Sequence, residues 1–136
     1  MNISVRQMQG RVPVTMLGVE GALDASNYQD LIAQATEVCN AGAKDLLLDL
    51  TNTSFVSSSG LVALHSIALL MRGEQPPALE EGWGALQSVQ RGLGTGVQQH
   101  LKLLGPQPYV ARTLEKAGMI EFFEIHTDLD TAVASF

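Results

Sequence analysis

The 136-residue sequence predicts an α/β domain with a mixed sheet, and three observations carry that prediction. The first stretch alternates apolar and polar side chains on either side of Gln9-Gly10, as a β-hairpin does. Leu46-Leu47-Leu48 is an unbroken apolar run, the pattern of a strand buried on both faces of a sheet. Between and after these strands, apolar residues recur at helical spacing, so strands and helices alternate along the chain.

In the hairpin, Ile3, Val5 and Gln7 alternate with Ser4, Arg6 and Met8, and Val12, Val14 and Met16 with Pro13, Thr15 and Leu17. Pro13 has no amide to donate, so it belongs at the start of a strand or on an open edge. Gly18 to Gly21 carries the chain into Ala22-Leu23-Asp24. Ser26-Asn27-Tyr28-Gln29 has the form of a capping box, in which serine and glutamine satisfy backbone amides reciprocally. Leu31, Ile32, Ala35, Val38 and Cys39 then define a helix that Asn40 to Gly42 ends. Cys39 falls on its apolar face as a buried structural thiol. The next strand is Lys44 to Leu50, followed by a short polar loop and a helix from Ser58 to Arg72, with Leu61, Leu64, Ala68 and Leu69 as its stripe. His65 lies beside that stripe and has no metal-like spacing with His100 or His126.

From Gly73 to Gly96 the composition changes, with Pro76-Pro77, several glycines and the only tryptophan, Trp83. This reads as an insertion or long loop in a single domain spanning 1–136, with a short helix around Ala85 to Arg91. Gly92-Leu93-Gly94-Thr95-Gly96 has neither the lysine nor the preceding strand that a phosphate loop requires. Val97 to Leu104 resumes as a strand, and Gly105 to Pro108 turns the chain. Val110, Leu114 and Ala117 line a helix capped by Gly118. Met119 to Ile125 supplies a short strand or connection, and Thr127 to Asp130 starts a last helix from Leu129 to Ala134.

Composition narrows the function. Hydrophobic residues make up 46% and charged residues 16%, enough apolar surface to bury a core. The net charge of -6 argues against nucleic-acid binding or an anionic membrane surface, both of which need clustered cations. One cysteine allows neither an internal disulfide nor a thiolate zinc site. Met1 to Arg6 does not resemble a secretory signal, and no apolar run approaches the roughly 20 residues of a membrane span. A cytoplasmic protein without direct membrane insertion is expected.

Chemistry concentrates at Ser57-Ser58-Ser59-Gly60, where a strand passes through a loop into a helix. A serine there can cap the helix for about 1 kcal/mol. A nucleophile elbow would need Gly-x-Ser-x-Gly, and no choice of serine meets it, so hydrolase chemistry is rejected. Phosphorylation is a third reading that stands level with the cap, because a helix N-terminus tolerates the added anion. Gly60 would keep side-chain bulk away from such a site.

Four segments together resemble the STAS domain, shared by bacterial anti-sigma factor antagonists, stressosome scaffolds and sulfate transporters. They are Gly21-Ala22-Leu23-Asp24-Ala25, Leu47-Leu48-Asp49-Leu50-Thr51, Phe55-Val56-Ser57-Ser58-Ser59-Gly60-Leu61 and Leu114-Glu115-Lys116-Ala117-Gly118-Met119. The resemblance implies a mixed central sheet with helices mainly on one face, and a regulatory protein rather than an enzyme, with no cofactor. It implies a partner of the anti-sigma factor or GHKL-type serine kinase class, met by Asp24, Ser57, Ser58, Ser59 and Gly60. Anti-sigma antagonists carry Asp-Ser-Ser/Thr-Gly in this loop and are phosphorylated on the serine after the aspartate. That position is Ser58, with Ser57 or Ser59 as lesser candidates, and Ser57 stands where those relatives have the aspartate. Two alternatives stay open: a phosphorylation-independent scaffold or transporter-associated subunit, and a small-ligand module with Trp83 in a lid.

Overall fold

The computed structural model describes residues 2–71, 99–120 and 122–136. Strands β1 (Asn2–Gln9) and β2 (Pro13–Leu23) form the expected antiparallel hairpin, with Asn2 opposite Glu20 and Gln9 opposite Pro13. Pro13 therefore opens its strand, where a missing amide is tolerated. There follow α1 (Tyr28–Asn40), β3 (Leu46–Asp49), β4 (Thr53–Val56), α2 (Ser58–Met71), β5 (Leu101–Leu104), α3 (Pro108–Lys116), β6 (Ile125–His126) and α4 (Leu129–Ala134). The sheet runs β1-β2-β3-β5-β6, and β4 joins the far end of β2. All pairings after the hairpin are parallel, so β2 through β6 point their carboxyl ends toward one side.

The leucine run has the two-sided burial expected of it. Leu46 and Leu48 face a cluster containing Leu17, Val19, Leu101 and Leu103 of the sheet, Leu31 and Val38 of α1, Ile67 of α2 and Leu114 of α3. Leu47 faces the other way, with Val14, Met16 and Leu104, against Ala132 and Val133 of α4. Among the described residues, three helices thus cover one face and a single six-residue helix the other. Period-two alternation in β2 and β5 feeds both layers at once.

The shorter helix is held by a cation as well as by apolar contact. Lys102, only 5% exposed, donates from Nζ to the Ser135 carbonyl at 2.9 Å and to Ser135 Oγ at 3.1 Å. Its ammonium lies 3.0 Å from Glu124 Oε2 and 4.8 Å from the centre of the Phe136 ring. A buried charge is tolerable only when paired in this way. The Lys102 partner also holds the Glu124 carboxyl below its ordinary value, with His126 reinforcing it.

Several elements differ from expectation. β4 occupies part of what reads as a loop. Helix α2 is buried continuously from Gly60 to Ala68, His65 included, rather than along one stripe. Cys39 is half-buried, because Leu31, Ile32, Ala35 and Val38 complete the inner face of α1 without it. Gly42 and Gly118 follow α1 and α3 with φ of 109° and 71°, the left-handed ends that their positions predict. The 73–96 insertion, Trp83, Arg72 and Val97 lie outside the described residues.

Candidate functional site

Strands β2 and β4 end together. Leu23 pairs with Val56, and the Ser57 amide donates to the Leu23 carbonyl at 2.9 Å. Asp24 and Ser57 are the next residues of their chains, so the backbone alone brings two of the expected site positions to one edge of the sheet.

At Ser57 the chain turns into α2. The Ser57 carbonyl accepts the Leu61 amide at 3.0 Å, and its Oγ accepts the Gly60 amide at 3.3 Å. Ser57 is therefore the helix cap, standing just outside the first helical residue, Ser58. Ser58 is exposed, whereas Ser57 and Ser59 are half-buried. Among the described residues, neither the Ser58 hydroxyl nor the Ser58 and Ser59 amides have a protein partner. Such amides at a helix start are the groups that receive anionic oxygens.

Gly60 points inward. A Cβ there would lie 2.7 Å from Val56 Cγ1 and 3.0 Å from the Leu23 carbonyl oxygen. Its small size lets α2 sit against the ends of β2 and β4, so the expected clearing of the outer surface falls to the exposure of Ser58 itself.

Asp24 is locked into the turn before α1. Its carboxylate accepts the Ser26 hydroxyl and amide, and its own amide donates to Asn27 Oδ1 at 2.9 Å. The Ser26 hydroxyl, then the Ser26 amide, hold the Asp24 carboxyl below its ordinary value of 3.8, so it is anionic at neutral pH. The expected capping box does not form. Ser26 is taken by Asp24, α1 begins only at Tyr28, and Gln29 Nε2 donates to the Tyr28 hydroxyl at 3.3 Å.

Phe55 and Tyr109 escape a reading of sequence alone. Their rings lie 6.0 Å apart, tilted by 33°, and both are exposed. Phe55 belongs to β4 and lies three residues before Ser58. Thr53-Ser54-Phe55-Val56, rich in β-branched and aromatic residues, was the available signal for that strand.

The histidines do not converge. His65 is buried in α2, His100 lies 2.8 Å from Asp45, and His126 lies 2.7 Å from Glu124. Among the described residues no three His, Cys, Asp or Glu side chains are grouped to hold a metal. A groove of about 630 Å³, lined by Thr15, Val38, Ala43 and Asp45 among others, opens at the opposite end of the sheet. A smaller hollow of about 100 Å³ lies between β1, β2 and Asp49. Neither is lined by Asp24 or by Ser57, Ser58 or Ser59, and concave sites are what small ligands require.

A family model described as the STAS domain matches residues 5–74, just over half of the chain. The chain belongs to the STAS family. STAS domains are regulatory, non-catalytic modules. No curated protein matches the chain by sequence, but solved structures of anti-sigma factor antagonists resemble it in fold. A protein assigned as an anti-sigma factor antagonist from Thermotoga maritima superposes with a TM-score of 0.66 at 15% identity, covering 96% of this chain and 90% of that one. An anti-sigma factor antagonist from Mycobacterium paratuberculosis gives 0.61 at 18%, covering 98% and 93%. The Bacillus cell fate determinant SpoIIAA, an anti-sigma factor antagonist, gives 0.60 at 19% in its unphosphorylated form, covering 97% and 93%. Its phosphorylated form gives 0.54 at 14%, covering 97% and 96%. The likeness at these identities is one of fold. No helix among the described residues is long and apolar enough to cross a membrane.

Proposed function

We propose that this STAS domain switches a protein partner, an anti-sigma factor or GHKL-type serine kinase, that docks around Asp24 and Ser57 to Ser59. Phosphorylation of Ser58 would be the switch. The observation that carries this reading is the division of labour in the serine triplet: Ser57 caps the helix and leaves Ser58 exposed beside unpartnered amides. A phosphate on Ser58 would bring about -1.5 to -2 charges to the mouth of α2, where those amides and the helix dipole accommodate it. The same charge would alter the surface that a partner meets. SpoIIAA, solved in both phosphorylated and unphosphorylated forms, supports this by analogy of fold. Gly60, buried beneath the site, contributes by seating the helix rather than by touching the partner.

The test is intact-mass analysis after incubation with ATP and each purified GHKL-type kinase of the source organism. One phosphate mapped to Ser58 and absent from Ser58→Ala is expected; a phosphate mapped elsewhere refutes the site. Ser58→Asp should weaken kinase binding by about tenfold or more while leaving the fold intact, as judged by circular dichroism. Ser57 in the aspartate's place favours a second reading, a scaffold that binds without being modified. Partner binding with unchanged mass would select it.

A further inference from the structure

We infer that Phe55 and Tyr109 form a preformed docking patch for a cationic side chain, an arginine on the surface of the partner protein. The identity of that partner rests on the reading of Ser58 given above; the patch rests on separate observations. Large exposed apolar side chains are few among the described residues: Val5, Phe55 and Tyr109, at 43%, 38% and 56%. Two of these three are in ring contact, although they come from different elements. An exposed aromatic pair in contact, one ring of it three residues before a proposed switch, offers a partner both an apolar surface and a polar hydroxyl.

The segments that carry the two rings are tied to each other. Gln107, just before α3, donates from Nε2 to the Thr51 carbonyl at 3.0 Å, tying the start of the helix to the turn that leads into β4. Gly105 lies against the Thr51 side chain, where a Cβ would collide. The strand and helix that bear the rings are thus joined before a partner arrives, which reduces the ordering cost of binding.

Charge selects the occupant. Asp24 and Asp49 follow or end β2 and β3, and Asp30 lies in the first turn of α1, so carboxylates gather at the carboxyl end of the sheet. Arg11 and Lys44 lie at the opposite end, in the hairpin turn and before β3. Arg112 lies on α3 about one helical turn after Tyr109, one positive charge against those three carboxylates. No cation among the described residues lies over either ring; the cation–ring contact found is that of Lys102 with Phe136. An incoming guanidinium would find a free aromatic face, whose quadrupole attracts it, at the end of the sheet where these carboxylates lie. A phosphate added at Ser58 would act on the same contact, linking the patch to the switch.

Two measurements test this. First, the ¹⁵N-labelled chain is titrated with acetyl-Gly-Arg-Arg-Gly-amide and with its Glu-Glu counterpart. Resonances of Phe55 and Tyr109 should move with the arginine peptide alone, and Tyr109→Ala should abolish the effect; equal or absent shifts overturn the cationic patch. Second, affinity for the purified GHKL-type kinases is measured for the wild type, Tyr109→Ala and Tyr109→Phe. Tyr109→Ala should lose at least about fivefold and Tyr109→Phe should retain binding. Thermal melts verify the fold, which a side chain exposed to this degree does not support. Wild-type binding that Tyr109→Ala leaves unchanged overturns the patch and spares the Ser58 reading. If the wild type binds none of these kinases, the Ser58 reading falls and the peptide titration alone decides the patch.

Discussion

Two helices, α1 and α2, begin beside one another at the carboxyl end of the sheet, and short polar side chains finish their first turns in opposite ways. Before α1, Asp24, Ser26 and Asn27 satisfy one another and the backbone. Asn27 accepts the Asp24 amide and donates to the Ala22 carbonyl at 2.8 Å, binding the turn back onto β2. Before α2, one hydroxyl acts: Ser57 takes the Gly60 amide, the Ser58 and Ser59 amides are left without a protein partner, and Ser58 keeps its own hydroxyl exposed. Residues of the same chemistry thus form a closed knot in one place and an open hydroxyl in the other. What distinguishes them is the supply of neighbours. Leu23 of β2 takes the Ser57 amide and Ser57 Oγ takes the Gly60 amide, so the Ser58 hydroxyl is not drawn into the cap.

The seating of α2 is the most sensitive part of that contrast. Gly60→Val should destabilise the domain by roughly 3 kcal/mol, the upper end of overpacking costs, because the new side chain meets the Leu23 carbonyl and the buried Val56. Gly60→Ala should cost less, since the gain in helix propensity of about 1 kcal/mol partly offsets the clash. Urea unfolding of both variants checks the order. A Gly60→Val protein as stable as wild type would mean that α2 can start elsewhere, and the exposure of Ser58 would lose its structural cause.

How much of this was legible in the sequence follows from the range of the interactions. The leucine run, the hairpin and the glycines that end α1 and α3 are determined locally, and all stand where periodicity and turn chemistry put them. β4 was not legible, because its pairing with β2 skips Ser54 and breaks the alternation that marks a strand: Thr53 and Val56 are buried, Ser54 and Phe55 exposed. The capping box fails for a related reason. Ser26 has the right spacing to Gln29, but Asp24, two residues earlier, competes for its hydroxyl and amide. At the site, Asp24 and Ser58 could be named from their segments. The inward role of Gly60 depends on Leu23, and the aromatic pair on a residue of α3, contacts that no local pattern encodes.

Ser57 offers a finer test of the contrast, at an expected effect of about 1 kcal/mol. Ser57→Ala removes the cap and should lower stability by that amount. Ser57→Asp restores the carboxylate of the anti-sigma antagonists at a position that favours a cap and an anion near the positive helix end, so stability should equal or slightly exceed wild type. If Ser57→Asp destabilises, the space at the cap is too tight for a carboxylate.

The smallest expected effect concerns the closed knot before α1. Asp24 has a folded-state pKa below its ordinary value of 3.8, because Ser26 stabilises the ionised form. A depressed carboxylate contributes stability above its unfolded pKa and loses it as pH falls through the folded value. Wild type should therefore exceed Asp24→Asn in thermal midpoint at neutral pH, and the two should converge as pH falls below the ordinary value of 3.8 and through the lower folded-state value. Asp128, whose carboxyl is held low by the Thr131 amide and hydroxyl, titrates in the same window but is common to both proteins and cancels in the difference. A pH-independent gap would show that Asn27 and the backbone hold the turn without help from the charge. Measured alongside, kinase affinity separates the two roles open to Asp24. A variant that melts like wild type at acid pH but binds more weakly at neutral pH gives the carboxylate a part in recognition as well as in the turn. A variant altered only in melting confines it to the knot and leaves the binding surface to Ser58 and its neighbours.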